Sequence, residues 1–104
     1  MAEVKWTDQA IHDMQSIADY ISQDSIRYAQ IQVQRFFELE LIISVQPLSG
    51  RIVPELNNKM IREMIVGQYR IIYRLLNKER VDVITIHHSK KHLDPKTFKK
   101  GLKK

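Results

Sequence analysis

Residues 60–88 read MIREMIVGQYRIIYRLLNKERVDVITIHH, and this stretch decides the fold. Met60 to Val66 is rich in β-formers, Gly67 marks a tight turn, and Tyr69 to Leu76 follows with Tyr and Ile enrichment. Asn77-Lys78-Glu79 is a polar turn, and Arg80 to His88 carries Val81, Val83, Ile84 and Ile86. Connections this short join antiparallel neighbours, so the three strands are predicted to form a meander. Strand alternation puts Arg70, Ile72 and Arg74 on one face and Tyr69, Ile71, Tyr73 and Leu75 on the other.

Upstream the period is helical. Thr7 offers an N-cap with Asp8 in the first turn, and Ala10, Met14, Ile17, Ala18 and Ile21 recur at helical spacing through Ser22. Asp24 or Ser25 caps a second helix, with Ala29, Val33, Phe36, Phe37 and Leu41 on one stripe, running to Val45 before Pro47 and Gly50 end it. Tyr20, Tyr28, Phe36 and Phe37 are read as packing residues. Two helices joined by so short a link make an antiparallel hairpin. Ala2 to Trp6 reads as an opening edge strand. The expected architecture is α+β: βααβββ, with the helical hairpin packed on one face of a small antiparallel-rich sheet. One domain spans residues 1–93, and a lysine-rich tail spans 94–104.

The 104 residues suit a single domain, and 43% apolar with 28% charged residues excludes wholesale disorder. The absence of cysteine removes disulfides, thiolate metal sites and thiol nucleophiles together, and fits a reducing cytoplasm. No apolar run approaches membrane-spanning length, and acids and bases interrupt the first twenty residues, so neither a span nor a signal peptide is expected. The net +5 is unevenly placed: residues 1–50 carry −4, residues 51–86 carry +3 and residues 87–104 carry +6. A basic second half beside an acidic first half points to a polyanionic partner, or to an acidic protein segment covering the basic face.

Arginines inside strands of so small a domain are costly to bury unpaired. Glu55, Glu63 and Asp82 are candidate ion-pair partners, and for Arg74 an ion pair is the favoured reading. Arg62 and Arg70 flank the Gly67 turn; side by side, they would favour an anionic ligand between them. His87 and His88 close the last strand, where adjacent residues point to opposite faces, so at most one joins the Arg70 surface. His87, His88 and His92 lack the spacing of a structural zinc site, and no phosphate-cradling glycine loop or nucleophile elbow occurs. Neither metal nor cofactor is expected.

The element order, the segment Pro47-x-x-Gly50-Arg51-x-x-Pro54-Glu55, the stretches Ile61-Arg62-Glu63 and Gly67-Gln68-Tyr69-Arg70-Ile71-Ile72-Tyr73, and the closing His88-x-x-Lys91-x-Leu93 together resemble the RelE/ParE toxin superfamily, plasmid-stabilisation type. The resemblance covers nearly the whole chain. It implies the toxin of a type II toxin–antitoxin pair, cytoplasmic and held inactive by a cognate antitoxin whose acidic segment covers the basic face. RelE-like members cleave mRNA on the ribosome, whereas ParE-like members poison DNA gyrase without enzymatic chemistry. Similarity to the RNase type would make Glu55, Arg70, His87 and His88 catalytic. Arg51, Arg62, Tyr73, Lys90 and Lys91 would then contact the nucleic acid or other target. The Glu/Arg/His set tips the expectation slightly to a metal-independent mRNA endonuclease; a gyrase inhibitor is the alternative, and an inactive antitoxin-binding relative the third. Departures from RelE are a single lysine, Lys59, before the second strand and Phe98 as the only aromatic residue after His92. On either toxin reading Arg70→Ala is expected to abolish toxicity with an unchanged melting temperature.

Overall fold

Thr7 and Ser25 start the two helices as their side-chain chemistry predicts. The Thr7 hydroxyl accepts from the Ala10 N–H at 3.1 Å and the Ser25 hydroxyl from the Tyr28 N–H at 3.1 Å, each satisfying a backbone donor that the first turn leaves open. In the computed structural model, which describes residues 1–90 and 93–95, strand β1 (Glu3–Trp6) leads into α1 (Asp8–Ser22) and α2 (Ile26–Val45). A 3₁₀ turn over Pro47–Ser49 then precedes β2 (Arg51–Ile52), β3 (Ile61–Val66), β4 (Tyr69–Asn77) and β5 (Arg80–His88). Lys91, His92 and the tail from Lys96 onward lie outside the described residues. Among the described residues no helix is long and apolar enough to cross a membrane.

The meander forms as expected, and the sheet order is β1-β5-β4-β3-β2. β1 lies parallel to β5, with Val4 opposite Val81, while β2, β3, β4 and β5 pair antiparallel. The two-residue β2 is an addition to the expected βααβββ order, too short for any hydrophobic period to register. The helical hairpin covers one sheet face. Ala10 and Met14 of α1 and Phe36, Leu39 and Ile43 of α2 pack there on Ile71, Tyr73, Leu75, Val81, Val83 and Ile86. On the opposite face Ile61 and Ile72 form a second, smaller core with Val53 and with Leu93, which follows β5 in sequence. The alternation of β4 is therefore as read, but both faces are covered.

Three packing expectations change. The inward stripe of α2 is Ala29, Gln32, Phe36, Leu39 and Ile43, whereas Phe37 and Leu41 are exposed. Phe37 keeps an edge-on contact with Trp6, their ring centres 5.8 Å apart. Tyr20 and Tyr28 project into solvent instead of packing. The apolar content of α2 exceeds one stripe, so residue type alone does not say which side faces the sheet.

A register shift between Ile72 and Tyr73 leaves Ile84 of β5 as the extra residue of a bulge. Beside it, Asp13 of α1 accepts hydrogen bonds from the Thr85 hydroxyl and, at 3.1 Å, from the Ile86 N–H. A helix carboxylate thus pins the irregular part of the last strand.

Candidate functional site

The arginine of β4 and the loop after β2 build the most strongly coupled set of charges. Arg51 of β2 lies opposite Glu63 of β3, and Glu63 lies diagonal to Arg70 of β4, so the three share one face of the sheet. Glu63 occupies an otherwise apolar stripe between Ile61 and Ile65 and is only 1% exposed, so its charge must be met inside the protein. Its Oε2 accepts from Arg51 Nε at 2.6 Å and its Oε1 from Arg70 Nε at 2.9 Å. Glu55 closes the cluster from the loop: Arg70 Nη1 and Nη2 donate to its Oε2 and Oε1 at 2.7 and 2.8 Å. The Leu93 N–H also donates to Glu55 Oε2, at 3.0 Å.

The electrostatics follow from this geometry. The bidentate Arg70 guanidinium holds the Glu55 carboxyl down at about 2, outweighing the opposing effect of burial, and the Leu93 N–H acts in the same direction. Arg70 is correspondingly held in its charged form, first by Glu55 and then by Glu63. Arg51 differs. Its side chain is 64% exposed, so only its inner nitrogen is committed to Glu63.

A second network supports the first from the other face. Tyr73 is fully buried; its hydroxyl donates to the Pro47 carbonyl at 2.7 Å and accepts from the Gly50 N–H at 2.9 Å. Burial raises its pKa. A Cβ on Gly50 would lie 2.7 Å from the Glu63 carbonyl oxygen, so only glycine lets β2 approach β3 and bring Arg51 to Glu63. Arg62 points to this same side, donating to the carbonyls of Gly50 at 3.1 Å and Lys59 at 3.2 Å.

Of the residues singled out from sequence, Glu55, Arg70 and Arg51 come together, and His87 lies directly across β5 from Arg70. Arg62 does not join them: it pairs with Tyr73 in the register, whereas Arg70 pairs with Ile65, so the two arginines occupy opposite faces. Tyr73 presents no surface for a target, because its ring is buried in the main core and its hydroxyl is bonded to the turn. His88 turns away from Arg70, edge-on to Tyr69, and its Nδ1 accepts from the Lys90 N–H at 3.2 Å. Lys90 is exposed at the end of β5. The ion pair expected for Arg74 does not form among the described residues: Arg74 lies opposite Asp82 in the register, but Asp82 meets Arg80, at 3.1 Å. Glu63, weighed from sequence only as one partner among three, is the hub. Its position in an apolar stripe was the signal.

A model of the ParE toxin family of type II toxin–antitoxin systems matches residues 4–93. The chain belongs to the ParE toxin family. Two solved structures share the fold of this family member. One, from a chromosomal ParDE toxin–antitoxin system of Pseudomonas aeruginosa, superposes with a TM-score of 0.68 at 20% identity, over 85% of this chain and 96% of that one. The other, from the RelBE2 toxin–antitoxin complex of Mycobacterium tuberculosis, gives 0.60 at 19% identity, over 84% and 96%. No curated sequence matches. The two helices on a mostly antiparallel five-stranded sheet are thus the RelE/ParE fold, and of the residues that carried the sequence resemblance Pro47, Gly50, Arg51, Glu55, Arg62, Glu63, Arg70, Tyr73 and Leu93 are joined in the two networks above.

Proposed function

We propose that this ParE-family toxin acts by binding rather than by acid–base chemistry, with DNA gyrase as its target and a protein antitoxin as its inhibitor. The pairing of Glu55 with Arg70 carries the reading. A general base works best with a pKa near the ambient pH, and a carboxyl held at about 2 with both oxygens engaged is a poor proton acceptor. Two carboxylates on Arg70 likewise neutralise the charge that a phosphate clamp needs. What the sheet offers outward is the exposed side of Arg51 and, beyond β5, Lys90, a basic surface suited to contact without catalysis. An antitoxin with an acidic segment would complement it, and both structural neighbours come from toxin–antitoxin systems.

The test adds the purified chain to gyrase and plasmid DNA. Stabilised gyrase–DNA cleavage complexes are expected, with transcript 5′ ends unchanged when the chain is induced in cells. Codon-phased transcript cuts that Glu55→Gln abolishes, with supercoiling unaffected at saturating toxin, would overturn the proposal in favour of RNA cleavage with His87 beside Arg70.

A further inference from the structure

The outward side of α2 repeats with a spacing of its own. Arg27, Ile31, Gln34, Glu38, Leu41 and Val45 follow one another at alternating steps of four and three residues, and all six are exposed. Such steps follow one line along a helix, and half of this line, Ile31, Leu41 and Val45, is apolar although it faces solvent. It lies on the side away from the stripe that faces the sheet, so α2 carries two helix-packing faces and the fold uses one. Leu41 is 62% and Val45 55% exposed, and Ile31 lies in a shallow, open depression between the α2 side chains Arg27, Gln34 and Glu38. Among the described residues, neither Arg27 nor Glu38 has an ion-pair partner.

We infer that this stripe is a self-association surface, occupied by the α2 helix of a second copy running antiparallel. Turned about a two-fold axis level with Phe36, the stripe meets itself with complementary chemistry. Ile31 faces the second copy's Leu41, so that apolar side chains meet at both ends of the pair. Gln34 faces Glu38 and donates to its carboxylate, while the aliphatic stem of Arg27 lies along Val45. Arg35, also at the depression, sits next to the second copy's Glu38. A parallel pair would instead set Arg27 against Arg27 and Glu38 against Glu38, which like-charge repulsion opposes. One helix pair buries less than the roughly 1,600 Å² of a standard stable interface, so the association is reversible and concentration-dependent. This inference stands apart from the gyrase proposal, since none of its residues belongs to the sheet.

Sedimentation velocity on the purified full-length chain is expected to show a mass rising with concentration from 12.3 kDa toward twice that value. Leu41→Glu is expected to hold the chain at the monomer mass with unchanged helicity and melting temperature, because the residue supports nothing in the fold. The natural absence of cysteine makes orientation directly testable. Gln34→Cys and Glu38→Cys chains, when mixed, should form the mixed disulfide several-fold faster than either forms its own. A wild-type chain that remains monomeric, a dimer that survives Leu41→Glu, or preferential self-linking at position 38 would each overturn the inference. So would a monomer whose capture by an antitoxin helix is abolished by Leu41→Glu, which would assign the stripe to a different partner.

Discussion

Arg70 is the residue on which the far face of the sheet depends. Removing it leaves Glu63, 1% exposed, with Arg51 alone of its two arginine partners, and leaves Glu55 without its bidentate partner. Truncating one member of a buried ion pair costs about 3–5 kcal/mol. Arg70→Ala is therefore expected to lower the denaturant midpoint and melting temperature sharply, which reverses the sequence-based expectation of a functional loss with an intact fold. Equilibrium urea unfolding checks it: a shift below about 1 kcal/mol would mean the cluster is only weakly coupled to folding. The same geometry sets an acid dependence. Glu55 has a folded pKa of about 2 against an ordinary value of 4.5, so it binds protons more weakly when folded. Its contribution is whole above pH 4.5 and lost as the pH falls toward 2; allowing for solvent at the edge of the cluster, it amounts to about 2 kcal/mol. Unfolding free energy measured from pH 6 to pH 2 should fall across that window, and Glu55→Gln should flatten the fall.

At the scale of elements, what was legible in sequence is what is set locally. Thr7 and Ser25 announced the helix starts because a hydroxyl N-cap acts within three residues of itself. The meander was legible because Gly67 and Asn77-Lys78-Glu79 confine their strands to hairpins. Register was not. That Arg62 faces Tyr73 while Arg70 faces Ile65 depends on pairings across a sheet, where a slip of one residue exchanges faces. Nor does a single helical stripe identify the buried side of α2 when Phe37, Leu41 and Val45 are apolar as well. Asp13 is the clearest case of a long-range link that no local pattern reveals, since its partners Thr85 and Ile86 lie more than seventy residues away. Asp13→Ala is expected to destabilise by about 1–3 kcal/mol, because it strips the acceptor from the Ile86 N–H. Amide exchange would report the loss first at the β5 bulge; faster exchange confined to the start of α1 would count against this assignment.

For the molecule as a whole, the charge partition separates holding the fold from attracting a partner. Within the Arg51–Glu63–Arg70–Glu55 cluster the formal charges cancel, so the sheet's apparent positive excess belongs to residues outside it. Residues 96–104 add five lysines and no acid, and deleting them takes the net charge from +5 to 0. That truncation is expected to flatten the salt dependence of association with a polyanionic target, since fewer counterions are released on binding. Binding measured at two ionic strengths checks it; an unchanged slope would place the electrostatic contact on the domain itself.

The neutrality of the cluster also constrains how such a chain changes over generations. A single replacement at position 55, 63 or 70 leaves an opposite charge of the cluster short of a partner, so a matched second change is expected to recover part of the stability that the first one loses. Lys90 lies outside the cluster and is exposed, and Arg51 is exposed beyond its inner nitrogen. The cluster is thus held by internal charge balance, whereas the exposed basic groups around it are not part of that balance. A neutral interior of this kind lets exposed charges be exchanged without unbalancing the sheet beneath them.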